Sequence, residues 1–249
     1  MLFITDRLTG NLDFSADVGI LLATYREAPN IERLIVEIES MPIDSQILVI
    51  DDSSPDGTAD IVRQLQEKYP NILLLVRPGK FGLGTAITDG FKTFLSLKNP
   101  PKQIIAMDAD YSHDPQDIPM LLSTMKKGDG LVIGSRYCEG GRIVGWPLAR
   151  RVISRTANTL ARSIARLKLN DCTSGFRCYS TEFLKAAIGN LHCTTYEIQI
   201  EVAKQARLQG FGIKEAPVLF VNRKRGKSKL SASEISGFFS YIFKAMRTN

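Results

Sequence analysis

Met107-Asp108-Ala109-Asp110-Tyr111-Ser112-His113-Asp114 follows the apolar run Ile104-Ile105-Ala106 and precedes Pro115. A short apolar strand closed by two carboxylates one residue apart offers oxygen ligands to a hard divalent cation at its carboxyl end. Mg²⁺ or Mn²⁺ held in this manner keeps open positions for phosphate oxygens. An isolated Asp-x-Asp more often caps a following helix, here one starting near Asp114. The neighbouring segments decide between the two.

Toward the amino terminus, Val18 to Ala23, Ile47 to Ile50 and Ile72 to Val76 are short runs with almost no polar alternation, the pattern of strands buried on both faces. Between them, Ile31, Leu34, Ile35 and Ile38, then Ile61, Val62, Leu65 and Tyr69, then Ile87, Phe91 and Phe94, recur at helical spacing. After the central stretch come Ile118, Leu121, Leu122 and Met125 on one helix face and a fifth strand, Leu131 to Ile133, ending at Gly134-Ser135-Arg136. Strands alternating with amphipathic helices over short connections predict an α/β fold with a mainly parallel sheet and right-handed crossovers. Ligands of such sheets bind outside the carboxyl ends of the strands. Those ends carry Tyr25 and Glu27, Asp51 and Asp52, Lys80, Asp108 and Asp110, and Arg136. Asp51-Asp52 can be a turn or part of a site, but five successive polar strand ends point to one crevice.

Beyond residue 136 the pattern changes. From Arg142 to Arg177 there are eight basic residues against one acid, Asp171. Val152, Ile153, Leu160, Ile164 and Leu167 interleave with them, which predicts a helix with one apolar and one basic face suited to an interface. Further helix and strand patterns cover Tyr196 to Leu208 and Glu215 to Val221. They lead into Asn222-Arg223-Lys224-Arg225-Gly226-Lys227-Ser228-Lys229, with five cations and no acid. Ser231 and Glu234 form a capping box for a last helix with Ile235, Phe238, Phe239, Ile242, Phe243 and Met246 on one face. That face is either core or membrane contact, and Trp146 either packing or an interface anchor.

With 249 residues the chain can bury one substantial core. A formal charge of +6 and a pI near 9.1 call for an anionic partner. Four cysteines without a Cys-x-x-Cys pair and two distant histidines support neither a zinc site nor a disulfide framework. No apolar stretch reaches the roughly 18 residues of a spanning helix. Residues 1–17, with five charged or amide side chains, read as a loose extension without a secretory core, and residues 18–249 as one domain. Lys80 and the glycines at 79, 82 and 84 lack the Gly-x-x-x-x-Gly-Lys-Ser/Thr pattern of a phosphate loop, so the glycines are assigned to a tight strand-to-helix turn.

A nucleotide diphosphate-sugar would use such a crevice well. A cation bridging Asp110 and both phosphates stabilises the departing diphosphate, and Tyr25, Glu27 and Asp52 can hold base and ribose. A hydroxyl acceptor needs a general base, whereas a phosphate acceptor is already anionic and needs arginines to bring it in. The segments Ala23-Thr24-Tyr25-Arg26-Glu27, Asp51 to Thr58, Gly82-Leu83-Gly84-Thr85-Ala86, Met107-Asp108-Ala109-Asp110, Gly134-Ser135-Arg136-Tyr137, Gly145-Trp146-Pro147, Thr173-Ser174-Gly175-Phe176-Arg177 and Arg225 to Leu230 resemble, in order and spacing, the dolichyl-phosphate (polyprenyl-phosphate) mannose synthases, inverting GT-A glycosyltransferases of family two. The likeness runs from about Val18 to the last helix.

This resemblance implies a GT-A, Rossmann-like domain with a nucleotide-sugar half (18–136) and an acceptor and membrane-side half (137–249). It implies transfer of a hexose, most often mannose from GDP-mannose, to dolichyl or another polyprenyl phosphate. UDP-glucose or a UDP-N-acetylhexosamine is the alternative donor. By the family pattern Ala23, Tyr25, Glu27, Ile50 and Asp52 hold the nucleoside, Asp108 and Ala109 border the donor, and Asp110 and Ser112 ligate Mg²⁺ or Mn²⁺. Arg136, Arg150 and Ser154 grip the acceptor phosphate, Arg223 and Lys229 fold over the diphosphate, and Asp108, Asp110 and Arg136 are the catalytic set. Two departures stand out: Ala23 and Arg26 replace the Pro and Asn of the common Pro-Thr-Tyr-Asn-Glu, and Ser112 stands where some relatives carry Gln.

Without a spanning helix, the expected placement is peripheral, on the cytoplasmic face of a membrane, alone or with a membrane-anchoring protein. A nucleic-acid partner is not expected, since the acidic strand ends would repel it and no binding motif is present. A phosphoacceptor switch domain would not need the late basic loops. A catalytically silent nucleotide-sugar binder is a further, less favoured alternative, against which stand both intact carboxylates of Asp108-Ala109-Asp110.

Overall fold

A computed structural model describes residues 7–222. Its first half repeats one unit: β2 (Val18–Thr24), α1 (Ala28–Glu39), β3 (Ser45–Asp51), α2 (Thr58–Lys68), β4 (Ile72–Val76), α3 (Leu83–Ser96) and β5 (Gln103–Asp108). These strands were legible as unbroken apolar runs because both faces are covered. Ile20 and Leu22 pack with α1 and α2 side chains on one face, and Leu21 packs with Phe91 and Phe94 of α3 on the other. A short 3-10 turn, Pro115–Asp117, capped by the Asp114 carboxylate, opens α4 (Ile118–Thr124), and β6 (Asp129–Ser135) follows. Within the stretch expected to be loose, β1 (Leu8–Thr9) pairs antiparallel with β4.

The remaining described elements are β7 (Arg142–Val144), α5 (Leu148–Ala165), β8 (Arg177–Ser180), α6 (Thr181–Ala187), α7 (Ile198–Leu208), β9 (Gly212–Pro217) and β10 (Leu219–Val221). The main sheet runs β1-β4-β3-β2-β5-β8-β6-β9. It is mainly parallel, with β8 inserted antiparallel between β5 and β6. The run expected as one strand from Glu215 to Val221 is two. Pro217 has no N–H to continue the ladder, so β9 stops there, and after Val218 the chain joins β7 in a separate two-stranded sheet.

The order places β2 beside β5, with β3 and β4 on the far side of β2. The winding direction therefore reverses between β2 and β5, and the crevice at that switch point is where a sheet of this type binds its ligand. The last helix and its capping box, with Arg223 and Lys229, lie outside the described residues.

Candidate active site

Three loops leave the carboxyl ends of β2, β3 and β5, and each carries one non-glycine residue in the left-handed region: Arg26 (φ 58°), Ser53 (φ 52°) and Tyr111 (φ 59°). Such residues persist where surrounding contacts fix them, and they gather at functional sites. Here the contacts are visible. Arg26 N–H donates to Ser54 Oγ at 2.9 Å, Ser53 Oγ donates to the Arg77 carbonyl at 2.5 Å, and the Tyr111 hydroxyl donates to Glu37 Oε2 at 3.1 Å.

The loops border a half-open cleft, and of the residues expected from the sequence it is lined by Ala23, Tyr25, Glu27, Asp52, Asp108, Ala109 and Asp110. Lys80 and Tyr196 also line it. Lys80 Nζ sits 5.2 Å from the Tyr25 ring centroid, a cation held over the ring face. Tyr196 gave no local signal, because a backbone approach brings it in. Gly84 N–H donates to the Thr194 carbonyl at 2.9 Å, and a Cβ at Gly84 would come within 2.3 Å of the Cys193 carbonyl oxygen. Gly82 has φ +98°, as a strand-to-helix turn requires. Ile50 is buried in the core and its side chain does not line the cleft.

The two aspartates after β3 divide their work. Asp51 is fully buried and accepts from the Thr24 and Ser54 hydroxyls and from Ser54 N–H, which builds the turn. Asp52 accepts from Arg77 Nε at 2.6 Å through Oδ1, and its Oδ2 has no partner among the described residues. Arg77, which sequence reasoning missed, also donates to Asp89, Thr85 and the Gly82 carbonyl. Burial works against its charge, yet the Asp52 bond and charge outweigh that and raise its pKa.

After β5, Asp110 is buried at the cleft and its Oδ1 accepts from Ser112 N–H at 3.0 Å. Ser112 Oγ is buried with no hydrogen-bond partner among the described residues. A carboxylate beside an unsatisfied hydroxyl is a donor set of hard oxygens, which fits a small divalent cation. No cluster of three or more His, Cys, Asp or Glu suited to a metal occurs among the described residues, so ligand and water oxygens would complete the shell. His113, wholly buried and stacked 5.2 Å from Phe176, has its pKa pushed down to about 4, first by burial and further by Arg136, against the charge of Asp110. It is neutral at ordinary pH. Its contact of 3.8 Å with Asp108 is therefore no ion pair, and Asp108 N–H donates to Nδ1 at 3.4 Å.

Arg136 does not line the cleft. Its Nε and Nη2 donate to Asp171 at 2.7 and 2.8 Å, and Nη2 also to Thr173 Oγ1 at 2.7 Å. Burial opposes its charge, but Asp171 overcomes that and raises the Arg136 pKa, with Tyr137 and Asp108 adding. Asp171 in turn is held below the usual carboxylate range by Arg136, despite full burial. Trp146 is buried, settled by packing: its ring lies 5.1 Å from Phe220 and 4.2 Å from the Arg150 guanidinium. Arg150 donates to Asn222 Oδ1 at 3.2 Å, and Ser154 Oγ accepts from the Tyr137 hydroxyl at 2.8 Å. Arg136, Arg150 and Ser154 thus gather in one neighbourhood outside the cleft, linked to it by the charge of Asp108.

The model of Glycosyl transferase family 2 matches residues 20–187. The chain is 35% identical over 218 residues to the polyprenol monophosphomannose synthase of Mycolicibacterium smegmatis, covering 87% of this chain and 82% of that one. It is 34% identical over 212 residues to the undecaprenyl-phosphate mannosyltransferase of Micrococcus luteus, covering 85% and 86%. Among solved structures it is similar in fold to glucosyl-3-phosphoglycerate synthase from Mycobacterium tuberculosis, solved with Mn²⁺, UDP and glucosyl-3-phosphoglycerate (TM-score 0.63, 15% identity, 94% of this chain and 79% of that one). A mannosyltransferase from Pyrobaculum calidifontis with GDP-mannose and Mn²⁺ is comparably similar (TM-score 0.62, 16% identity, 95% and 66%). The mixed sheet flanked by helices is the GT-A fold, and with the family match extending from β2 through α6, this chain belongs to glycosyl transferase family 2.

Proposed function

We propose that the protein transfers mannose from GDP-mannose to the phosphate of a polyprenyl phosphate with inversion, yielding polyprenyl-phosphate-mannose and GDP. The observation that carries this reading is the meeting of Asp52, Asp108 and Asp110 in one cleft at the switch point, with an arginine neighbourhood beside it. The names of the two relatives supply the sugar and the lipid class.

In this reading Tyr25, Glu27 and Asp52 bind the guanosine, with Asp52 oriented by Arg77, and Lys80 faces the diphosphate. Asp110 and Ser112 would hold Mg²⁺ or Mn²⁺, which when bound neutralises charge on the departing diphosphate. Arg136 and Arg150 with Ser154 steer the lipid phosphate, one of whose oxygens forms the new bond to the anomeric carbon as the bond to GDP breaks on the opposite face. No residue needs to take a proton, because the attacking phosphate is already anionic. Asp171 shares the charge of Arg136, so Arg150 carries the larger part of the phosphate attraction. Arg223 and Lys229 are the cations we assign to the donor diphosphate.

A polyprenyl phosphate is embedded in a bilayer, so we assign residues 137–249 to the acceptor and membrane side and 18–136 to the donor side. No helix among the described residues is long and apolar enough to cross a membrane. Support for peripheral contact comes from α5 and its surroundings, where Leu148, Val152, Ile153, Val144 and Leu219 are exposed among the exposed Arg142, Arg151 and Arg155. A donor panel of GDP-mannose, UDP-glucose and UDP-N-acetylglucosamine, offered with a polyprenyl phosphate and Mn²⁺ or Mg²⁺ or chelator, tests the reading. Radiolabelled mannose entering the lipid phase only with metal is the expected result, and label from another donor alone refutes it.

A further inference from the structure

Of the three left-handed residues at the strand ends, Tyr111 stands between Asp110 and Ser112, and it is the one fixed by a charged side chain. The groups that hold Arg26 and Ser53, the Ser54 hydroxyl and the Arg77 carbonyl, lie on the strand-end loops themselves. Tyr111 is held from elsewhere. Glu37 lies near the carboxyl end of α1 and does not line the cleft.

Glu37 receives two bonds from the segment after β5. Its Oε2 accepts from the Tyr111 hydroxyl at 3.1 Å, and its Oε1 accepts from Gln116 Nε2 at 3.5 Å. The two donors flank Ser112 in the chain, so one half-buried carboxylate clasps the loop on both sides of that residue. The Tyr111 ring packs against the core shared by β5 and α1, with the Arg33 guanidinium carbon 4.8 Å from its centroid. Burial, followed by Glu37, raises the pKa of the Tyr111 hydroxyl, which therefore stays protonated and remains a donor. Gln116 is fixed in turn, its N–H donating to Asp114 Oδ1 at 2.9 Å.

A tyrosine resists a φ of 59° because its Cβ crowds the following carbonyl oxygen. Released from the clasp, Tyr111 would return to an ordinary φ and the peptide carrying the Ser112 N–H would turn with it. The bond from that N–H to Asp110 Oδ1 at 3.0 Å would be lost, and with it the arrangement of the two oxygen donors.

We propose that Glu37 is a positioning residue for the metal site: by clasping Tyr111 and Gln116 it holds the left-handed turn that aims Asp110 and Ser112 at one cation. The assignment rests on the metal reading of those two residues above. Removing a group that orients metal ligands from outside their shell typically costs about 10–100-fold in metal affinity.

The test uses the full chain with GDP and Mn²⁺, or UDP where the donor panel selects a UDP-sugar. Calorimetry gives the dissociation constant of the nucleoside diphosphate with Mn²⁺ and again with chelator, and the ratio of the two is the gain supplied by metal. Glu37→Ala removes the clasp, Tyr111→Phe keeps the ring and removes only its donor, and Glu37→Gln keeps an oxygen to accept from Tyr111. Glu37→Ala is expected to reduce the gain about ten-fold and Tyr111→Phe several-fold, with the constant in chelator within about two-fold of wild type. Glu37→Gln should restore the gain to within about three-fold, and the apparent KM for Mn²⁺ in transfer should follow the same order. An unchanged gain in Glu37→Ala overturns the proposal. So does an equal loss with and without metal, the mark of a residue that only supports the fold. A wild type that gains nothing from Mn²⁺ defeats the metal reading itself, and the proposal with it.

Discussion

At the donor cleft the ionisable groups are only partly spoken for, whereas at Arg136 they are almost wholly consumed by the protein. Asp52 gives one oxygen to Arg77 and keeps the other, and Asp108 is about half exposed. Across the rim, Arg136 and Asp171 are both buried and share two side-chain bonds. The difference teaches that strand ends present charge to a ligand while the loop after β6 uses charge to hold the chain together. The surface over α5 differs again, since its apolar side chains face outward.

The sharpest way to break the comparison is at the buried pair. Arg136→Ala strands the Asp171 carboxylate in the interior, and losing one partner of a buried pair costs about 3–5 kcal/mol, read as a fall in the thermal midpoint. A rise in the KM for the lipid phosphate should accompany it, from the share of charge Arg136 still offers the acceptor, whereas unchanged stability would overturn its structural role. The pH dependence sharpens the same point. Asp171 has a folded pKa depressed below its unfolded value, so its contribution is present above the unfolded value, about 3.9, and is lost as pH falls through the folded one. Acid unfolding of Asp171→Asn should therefore start from lower stability at pH 7 and depend less steeply on pH below about 4.

At the cleft, Asp110→Asn is expected to cut transfer by about 10²–10³-fold while leaving the thermal midpoint near wild type. A large stability loss there would erase the contrast. Arg77→Met removes the positioning of Asp52, and a rise of about ten-fold in donor KM with the lipid-acceptor KM unchanged is the expected split in steady-state kinetics. The smallest effect is expected from Leu148→Ser with Val152→Ser on α5. Sedimentation with anionic vesicles should fall several-fold while activity on a short-chain soluble acceptor is retained.

Much of the donor side could be taken from the sequence because its signals are local. An apolar run ending in Asp108-Ala109-Asp110 marks a strand and its carboxyl end within a few residues, and the same holds for Asp52 and Glu27. Arg77 and Asp171 were missed as partners because the bonds that define them span 25 and 35 residues. Neither pairing leaves a periodic trace. Tyr196 was missed for a related reason. It precedes α7, whose apolar face was readable, but nothing in that pattern shows that the chain before the helix lies against a cleft formed some ninety residues earlier.

The sequence by itself determined the succession of strands and helices, the polar character of the strand ends and membership in the glycosyltransferase family, since each is encoded in short-range periodicity or in ordered motifs. Only the tertiary structure decided that β2 lies beside β5, that β8 enters the sheet reversed, that Pro217 divides one apolar run between two sheets, and which charges are presented and which are buried in pairs. Side-chain alternation fixes which face of a strand is covered. Strand order and ion pairing are set by packing between segments far apart in the chain, and no local pattern carries that information.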